Sequence, residues 1–218
     1  MEFLMAAPRN RLADVSERAQ AKVGKFANRQ AELADAALTT LAELGYARTS
    51  LRDIAENTEF SHGVLRYYFS DKNDLIIQCI RQYKSVCVRR YDLATEQAET
   101  PDGLVDAFIE KLTETLLKET KLHRLWYDLR SQALFDDVLQ EDVQQIDRDL
   151  EDMIWRIVER YALLKNCSPT LSSRATYAAI DGLFQEALAR VLSGDDKGVE
   201  DLERELRQLL PVIVEASA

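Results

Sequence analysis

The run TSLRDIAENTEFSHGVLRYYFSDKNDL, residues 49–75, constrains the fold more than any other stretch of the chain, because three helix starts can be read from it. Ser50 followed by Asp53 forms a capping box, in which the hydroxyl accepts from the N3 amide and the carboxylate reaches back to the Ser50 amide. Leu51, Ile54 and Ala55 give the helix that follows one apolar face, and the turn-prone Asn57, Thr58 and Glu59 end it. A second start falls at Ser61. From there His62, Gly63, Arg66 and Tyr67 lie on one side, while Val64, Leu65, Tyr68 and Phe69 supply apolar mass for the other. Asp71 and Asp74 repeat the capping arrangement and open a third helix, with Lys72 in its first turn. Two short helices joined by a tight turn make a helix-turn-helix.

The combination of Gly45-Tyr46, Thr49-Ser50, Ile54-Ala55, Ser61, Gly63, Leu65, Tyr68-Phe69, Lys72 and Leu75 resembles the DNA-binding domain of the TetR family of transcriptional regulators, over residues 28–75. The resemblance implies an all-α protein with a three-helix head and a larger carboxy-terminal body for ligand binding and dimerisation. It also implies double-stranded DNA as partner, read as a palindromic operator by a homodimer, and a repressor released by a small-molecule effector. A recognition helix in the major groove needs short side chains for close approach and longer donors for base edges. His62, Gly63 and Arg66, with Arg52 from the preceding helix, are the expected base contacts; Ser50, Ser61, Tyr67 and Lys72 are the expected phosphate contacts. Tyr68 and Phe69 are expected in the core. The chain departs from the family at Arg66, where tyrosine is common, so that LRYYF stands in place of LYxxF.

The formal charge of −10 argues at first against a nucleic-acid partner, since phosphate binding depends on Lys and Arg. The charge is unevenly placed. Residues 1–90 hold 14 basic against 11 acidic residues, leaving 14 against 27 in the remainder, so the acidic part is expected to point away from DNA. Seven glycines and four prolines, in a chain rich in Ala, Leu, Glu, Arg and Gln, point to an almost wholly helical protein without strand-like runs. Cys79, Cys87 and Cys167 have no metal-ligand spacing and are expected to be structural. MEFLMAA lacks the basic start and apolar length of a signal peptide, and no run approaches a membrane span, so a cytoplasmic location is expected.

About nine helices can be counted. Residues 1–27 form a basic lead-in containing Arg9, Arg11, Arg18, Lys22 and Lys25, read as a frayed helix or disordered tail in preference to a DNA-contacting arm. Leu33, Ala37, Leu41 and Leu44 mark a helix that stops at Gly45. After the head, 76–218 reads as the body: a long connecting helix to about 96, one from Pro101, one near 121–136, a long one from Asp137 to before Asn166, and two near 170–192 and 196–216, with Pro211 bending or ending the last.

For an effector pocket the candidates are Tyr91, Phe108, His123, Trp126, Arg130, Trp155 and Tyr177, with a helical core and a buried ion pair of Arg130 to Asp128, Asp136 or Asp147 as the competing reading. For the dimer interface, helices of the last segment offer Ile180, Phe184, Leu188, Leu202, Leu206 and Leu209, against which intramolecular core competes. Two histidines, three scattered cysteines and no glycine-rich loop supply neither a catalytic constellation, a metal cluster nor a phosphate loop, so no enzyme, metal or cofactor is expected. The alternative to a ligand-responsive regulator is a DNA-bound protein controlled by a protein partner or by no ligand. A cavity between body helices would favour the first, a filled core and an exposed patch the second.

Overall fold

The computed structural model describes residues 11–47, 49–195 and 197–216. Helix α1 (Arg11–Leu44) ends at Gly45, whose φ of 79° is left-handed and whose amide donates to the Leu41 carbonyl at 2.8 Å. Only glycine takes that conformation without strain, which is why the helix stops there. The basic segment is helical from Arg11 and runs without a break into the first head helix. Its Phe26 ring lies 4.7 Å from that of Tyr68. Residues 1–10, Arg9 among them, lie outside the described residues.

Helix α2 (Leu51–Glu56) carries the expected capping box, with Ser50 Oγ accepting from the Asp53 amide and Asp53 accepting from the Ser50 amide. Helix α3 (His62–Tyr68) starts at Ser61, whose hydroxyl accepts from the Val64 amide. Helix α4 (Lys72–Gln97) is capped by Asp71, but Asp74 reaches back to the amide and hydroxyl of Ser70, one residue earlier than a capping box requires.

The body adds α5 (Pro101–Lys118), with proline at its first position and Thr100 as cap, α6 (Thr120–Gln132) and α7 (Asp137–Lys165). Helix α7 ends at Asn166, φ 52°, a residue that tolerates the left-handed region. Helices α8 (Ser173–Leu192) and α9 (Lys197–Val212) follow, and Pro211 stands at the end of α9. The reading of a chain without strands needs one correction. Strands β1 (Cys167–Pro169) and β2 (Val214–Ala216) pair antiparallel, Ser168 opposite Glu215, and tie the end of α9 to the end of α7. Three residues are too few to show alternation, so periodicity gave no sign of them.

The core is continuous from head to body. Leu33, Ala37 and Leu41 of α1, Ile54 of α2 and Leu65 and Phe69 of the α3 region meet Leu75, Ile76 and Ile80 of α4. Leu44, expected with them, is substantially exposed. Helix α4 packs along both α1 and α7, and α8 packs against α7 and α9. Leu65 is fully buried beneath α3. Leu65→Ala is expected to cost about 2–5 kcal/mol in urea unfolding, the usual range for a deleted core leucine.

Candidate DNA interface and effector cavity

Helix α3 has the two faces its sequence implies. Ser61, His62, Gly63, Arg66 and Tyr67 are exposed, Leu65 and Phe69 are buried, and Val64 and Tyr68 are half-buried. Ser50, Arg52, His62, Arg66 and Lys72 border one open concavity with Thr49, Ser70 and Asp71, so residues from three helices converge on it. Ser61, Gly63 and Tyr67 lie outside its lining. A Cβ at Gly63 would meet only Ser61 Oγ, at 3.9 Å. The chain's own packing therefore gives no reason for a glycine there, although glycine weakens a helix by about 1 kcal/mol relative to alanine. The position leaves room for close approach from outside the chain.

The polar groups of this face are not all free. Ser50 Oγ donates its one proton to Asp53 at 2.6 Å, and these hydrogen bonds hold the Asp53 carboxyl below its ordinary range. In this conformation the Ser50 proton serves the helix start. Ser61 keeps its proton. Arg52 pairs with Glu56 at 3.0 Å, both well exposed, a contact worth only about 0.3–0.5 kcal/mol and screened by salt. Lys72 Nζ donates to the Tyr46 carbonyl at 3.2 Å and sits 4.3 Å from the Tyr46 ring centroid.

Helix α6 ties this head to the body. The Tyr46 amide donates to Asp128 at 3.0 Å, and the Tyr46 hydroxyl to Asn73 at 2.9 Å; burial, then nearby Asp136, raises the tyrosine pKa. Arg124 donates to the Ala42 and Glu43 carbonyls at the end of α1. Other residues of α6, namely His123, Trp126 and Tyr127, line a cavity whose remaining walls come from α4, α5, α7 and α8. The cavity has a volume of about 70 Å³ and is partly open to solvent.

A family model described as bacterial regulatory proteins of the tetR family matches residues 33–79, which contain the whole helix-turn-helix. Residues 33–79 are a TetR-family DNA-binding domain. The chain is 25% identical to the transcriptional repressor KstR2 of Mycolicibacterium smegmatis, over 62% of this chain and 80% of that protein. Two solved structures share the fold. A transcriptional regulator from Saccharomonospora viridis in complex with choline superposes with a TM-score of 0.69 at 16% identity, covering 87% of this chain and 99% of that one. FadR from Bacillus subtilis in complex with stearoyl-CoA superposes with a TM-score of 0.61 at 20% identity, covering 82% and 95%. Transcriptional regulators, not enzymes, make up this family. Among the described residues no helix is long and apolar enough to cross a membrane.

The cavity takes four of the seven expected pocket residues: Tyr91, His123, Trp126 and Tyr177. The other three are elsewhere. Phe108 lies behind the wall, its ring 5.8 Å from that of Tyr91; Trp155 is half-buried on α7; and Arg130 is engaged by Asp147 at 3.2 Å and Asp181 at 2.5 Å. Of the acids offered to Arg130, Asp147 is its partner, while Asp128 and Asp136 turn to the head.

The dimer residues need a larger correction. Ile180 and Phe184 line the cavity, and Leu188, Leu202 and Leu206 are buried in the chain's own core, because α8 and α9 spend their apolar stripes on α7 and on each other. Leu209 is half-buried. Sequence reading passed over Lys84, Tyr127 and Asp181 in the wall. Lys84 did leave a sign: it interrupts the apolar stripe Ile80, Tyr83, Cys87, Tyr91 of α4.

Cys79 and Cys87 are buried as expected, their thiols pushed up by desolvation, and Cys79 donates to the Ala34 carbonyl. His123 is held neutral. Burial, then the neighbouring Lys84, pushes its pKa down to about 2. Below about pH 6.5 the unfolded chain takes up a proton that the folded chain refuses, so stability falls with pH, by up to about 1.4 kcal/mol per unit for this one group. The fall in urea-unfolding stability from pH 7 to 5 is expected to be shallower in His123→Phe than in the parent. Gly63→Leu is expected to leave the melting temperature unchanged or slightly raised, and to weaken DNA binding at least about tenfold in fluorescence anisotropy by blocking close approach.

Proposed function

We propose that this TetR-family regulator is a homodimeric repressor that reads a palindromic operator through the exposed face of α3 and the concavity beside it, and releases the operator when a small molecule occupies the body cavity. One observation carries the coupling. Helix α6 presents Trp126 and Tyr127 to the cavity while Asp128 and Arg124, on the same helix, hold the Tyr46 amide and the last carbonyls of α1. A ligand that repositions α6 changes the placement of the head, and it favours release to the extent that it binds the repositioned form more tightly. The name of the Mycolicibacterium smegmatis relative supports repression, and the ligand complexes of the two neighbours support a ligand-binding body.

Dimerisation is assigned to the outer face of α8. Ala175, Ala178, Gly182, Gln185 and Ala189 are exposed at helical spacing, and a Cβ at Gly182 would meet nothing within 4 Å. A glycine in mid-helix with no internal reason, inside a stripe of alanines, suits close packing against a partner helix. The control-by-partner reading keeps one observation in its favour, the exposed Leu134, Phe135 and Val138 at the α6–α7 turn. The cavity favours the ligand.

Selection of bound fragments from genomic DNA is the deciding experiment, and a recovered palindrome is the expected result. On that fragment Arg52→Ala is expected to lower specific affinity more than non-specific affinity. Lys72→Ala is expected to lower both and to reduce the salt slope by about 1. Mutants and parent binding alike would sink the operator assignment. Gly182→Trp is expected to halve the mass measured by light scattering and to weaken operator binding with the fold intact; an unchanged mass rules out the α8 face.

A further inference from the structure

The cavity wall contains a charged group that has no hydrogen-bond or ion-pair partner among the described residues. Lys84 is 7% exposed on α4, with Nζ 5.3 Å from the Trp126 ring and 5.4 Å from the Tyr83 ring. Among the described residues it forms no hydrogen bond and no ion pair. Cation–π contact offsets only part of what it costs to take an ammonium out of water. Burial accordingly pulls its pKa down, opposed by Cys87 and then by the carboxylates of Asp181, Glu119 and Asp147.

Those carboxylates are already engaged. Asp181 accepts from the Tyr127 hydroxyl at 2.8 Å and from Arg130; Asp147 accepts from the Tyr177 hydroxyl at 2.7 Å and pairs with Arg130; Glu119 accepts from Arg90 at 2.6 Å and from the Tyr83 hydroxyl at 2.7 Å. The tyrosine hydroxyls are thereby spent as well, that of Tyr91 on Thr115. Desolvation keeps the Cys87 thiol protonated. Among the described residues, two donors of the wall form no hydrogen bond, Lys84 Nζ and the Trp126 indole N–H, while His123 Nε2 meets the Tyr83 hydroxyl at 3.3 Å.

We propose, on the reading of this cavity as the effector site, that the effector is a small organic carboxylate with an apolar body, its charge seated on Lys84 and its body against Trp126, Tyr127 and Phe184. One uncommitted cation matches one negative charge, because Arg90 and Arg130 are already neutralised. A phosphate dianion would face a single ammonium with Asp181 in the same wall, and a cationic ligand would face an unscreened like charge. The wall is otherwise apolar and aromatic, which fits the body and gives the carboxylate little competition from water.

Calorimetric titration of the full chain with 2-naphthoate and octanoate, against neutral 2-naphthamide and a naphthylmethyl-trimethylammonium ion, tests this. At least one acid is expected to saturate at one per chain and to bind at least about tenfold tighter than the amide. In Lys84→Met that preference is expected to vanish while amide affinity holds. The ligand-free Lys84→Met protein is expected to melt higher than the parent, since a buried unpaired charge has gone; a structural lysine would give the opposite. Lys84→Gln serves as the second variant if the first does not fold.

Equal binding of amide or ammonium, failure of both acids to saturate, or an acid preference that survives in both variants overturns the proposal. DNA release is measured separately. An acid bound through Lys84 that leaves the DNA complex intact defeats the effector reading of the cavity while the carboxylate site stands.

Discussion

The burial of α4 on two sides is the constraint on which the rest of the molecule depends. Leu75, Ile76, Cys79 and Ile80 close the head against α1, and one to four turns further on Tyr83, Lys84, Cys87 and Tyr91 face the body. A single rigid helix is thus both the floor of the three-helix head and a wall of the cavity. With an interior packed like a solid, a displacement of that wall cannot be absorbed locally. It has to appear at the head or be resisted there.

Helix α6 supplies the second connection, and its chemistry differs. Its contacts with the head are polar and few: a carboxylate on one amide and a guanidinium on two carbonyls. Such contacts fix direction without burying much area, so they can be remade at small cost. The head is thus joined to the body by a stiff apolar link through α4 and a polar link of few contacts through α6. The same division appears on the DNA-facing side. Arg52 is held only by an exposed ion pair and Lys72 by the Tyr46 carbonyl and ring, whereas the Ser50–Asp53 box that starts α2 is fully committed to the fold.

The head was legible because its signals are local. Ser50, Ser61 and Asp71 each announce a helix start within three residues, Gly45 announces a stop, and the faces of a short helix follow from its period. The body was legible as helices and not as surfaces. An apolar stripe states that a face is buried and is silent about what buries it, which is why Ile180, Phe184, Leu188, Leu202 and Leu206 read equally as interface or core. The outer face of α8 carries alanines and a glycine, a pattern too common in helices to stand out before its exposure is known.

By itself the sequence determined the helical class, the helix starts, the helix-turn-helix with its exposed face, and the separation of charge between the two ends of the chain. These depend on residues within a few positions of one another, or on composition. Tertiary structure alone decided that Arg130 meets Asp181 and Asp147, that Asp128 holds the Tyr46 amide, that β1 pairs with β2, and that Lys84 has no hydrogen-bond or ion-pair partner among the described residues. Each of these depends on groups far apart in sequence whose meeting is set by how helices pack, and no local period encodes it.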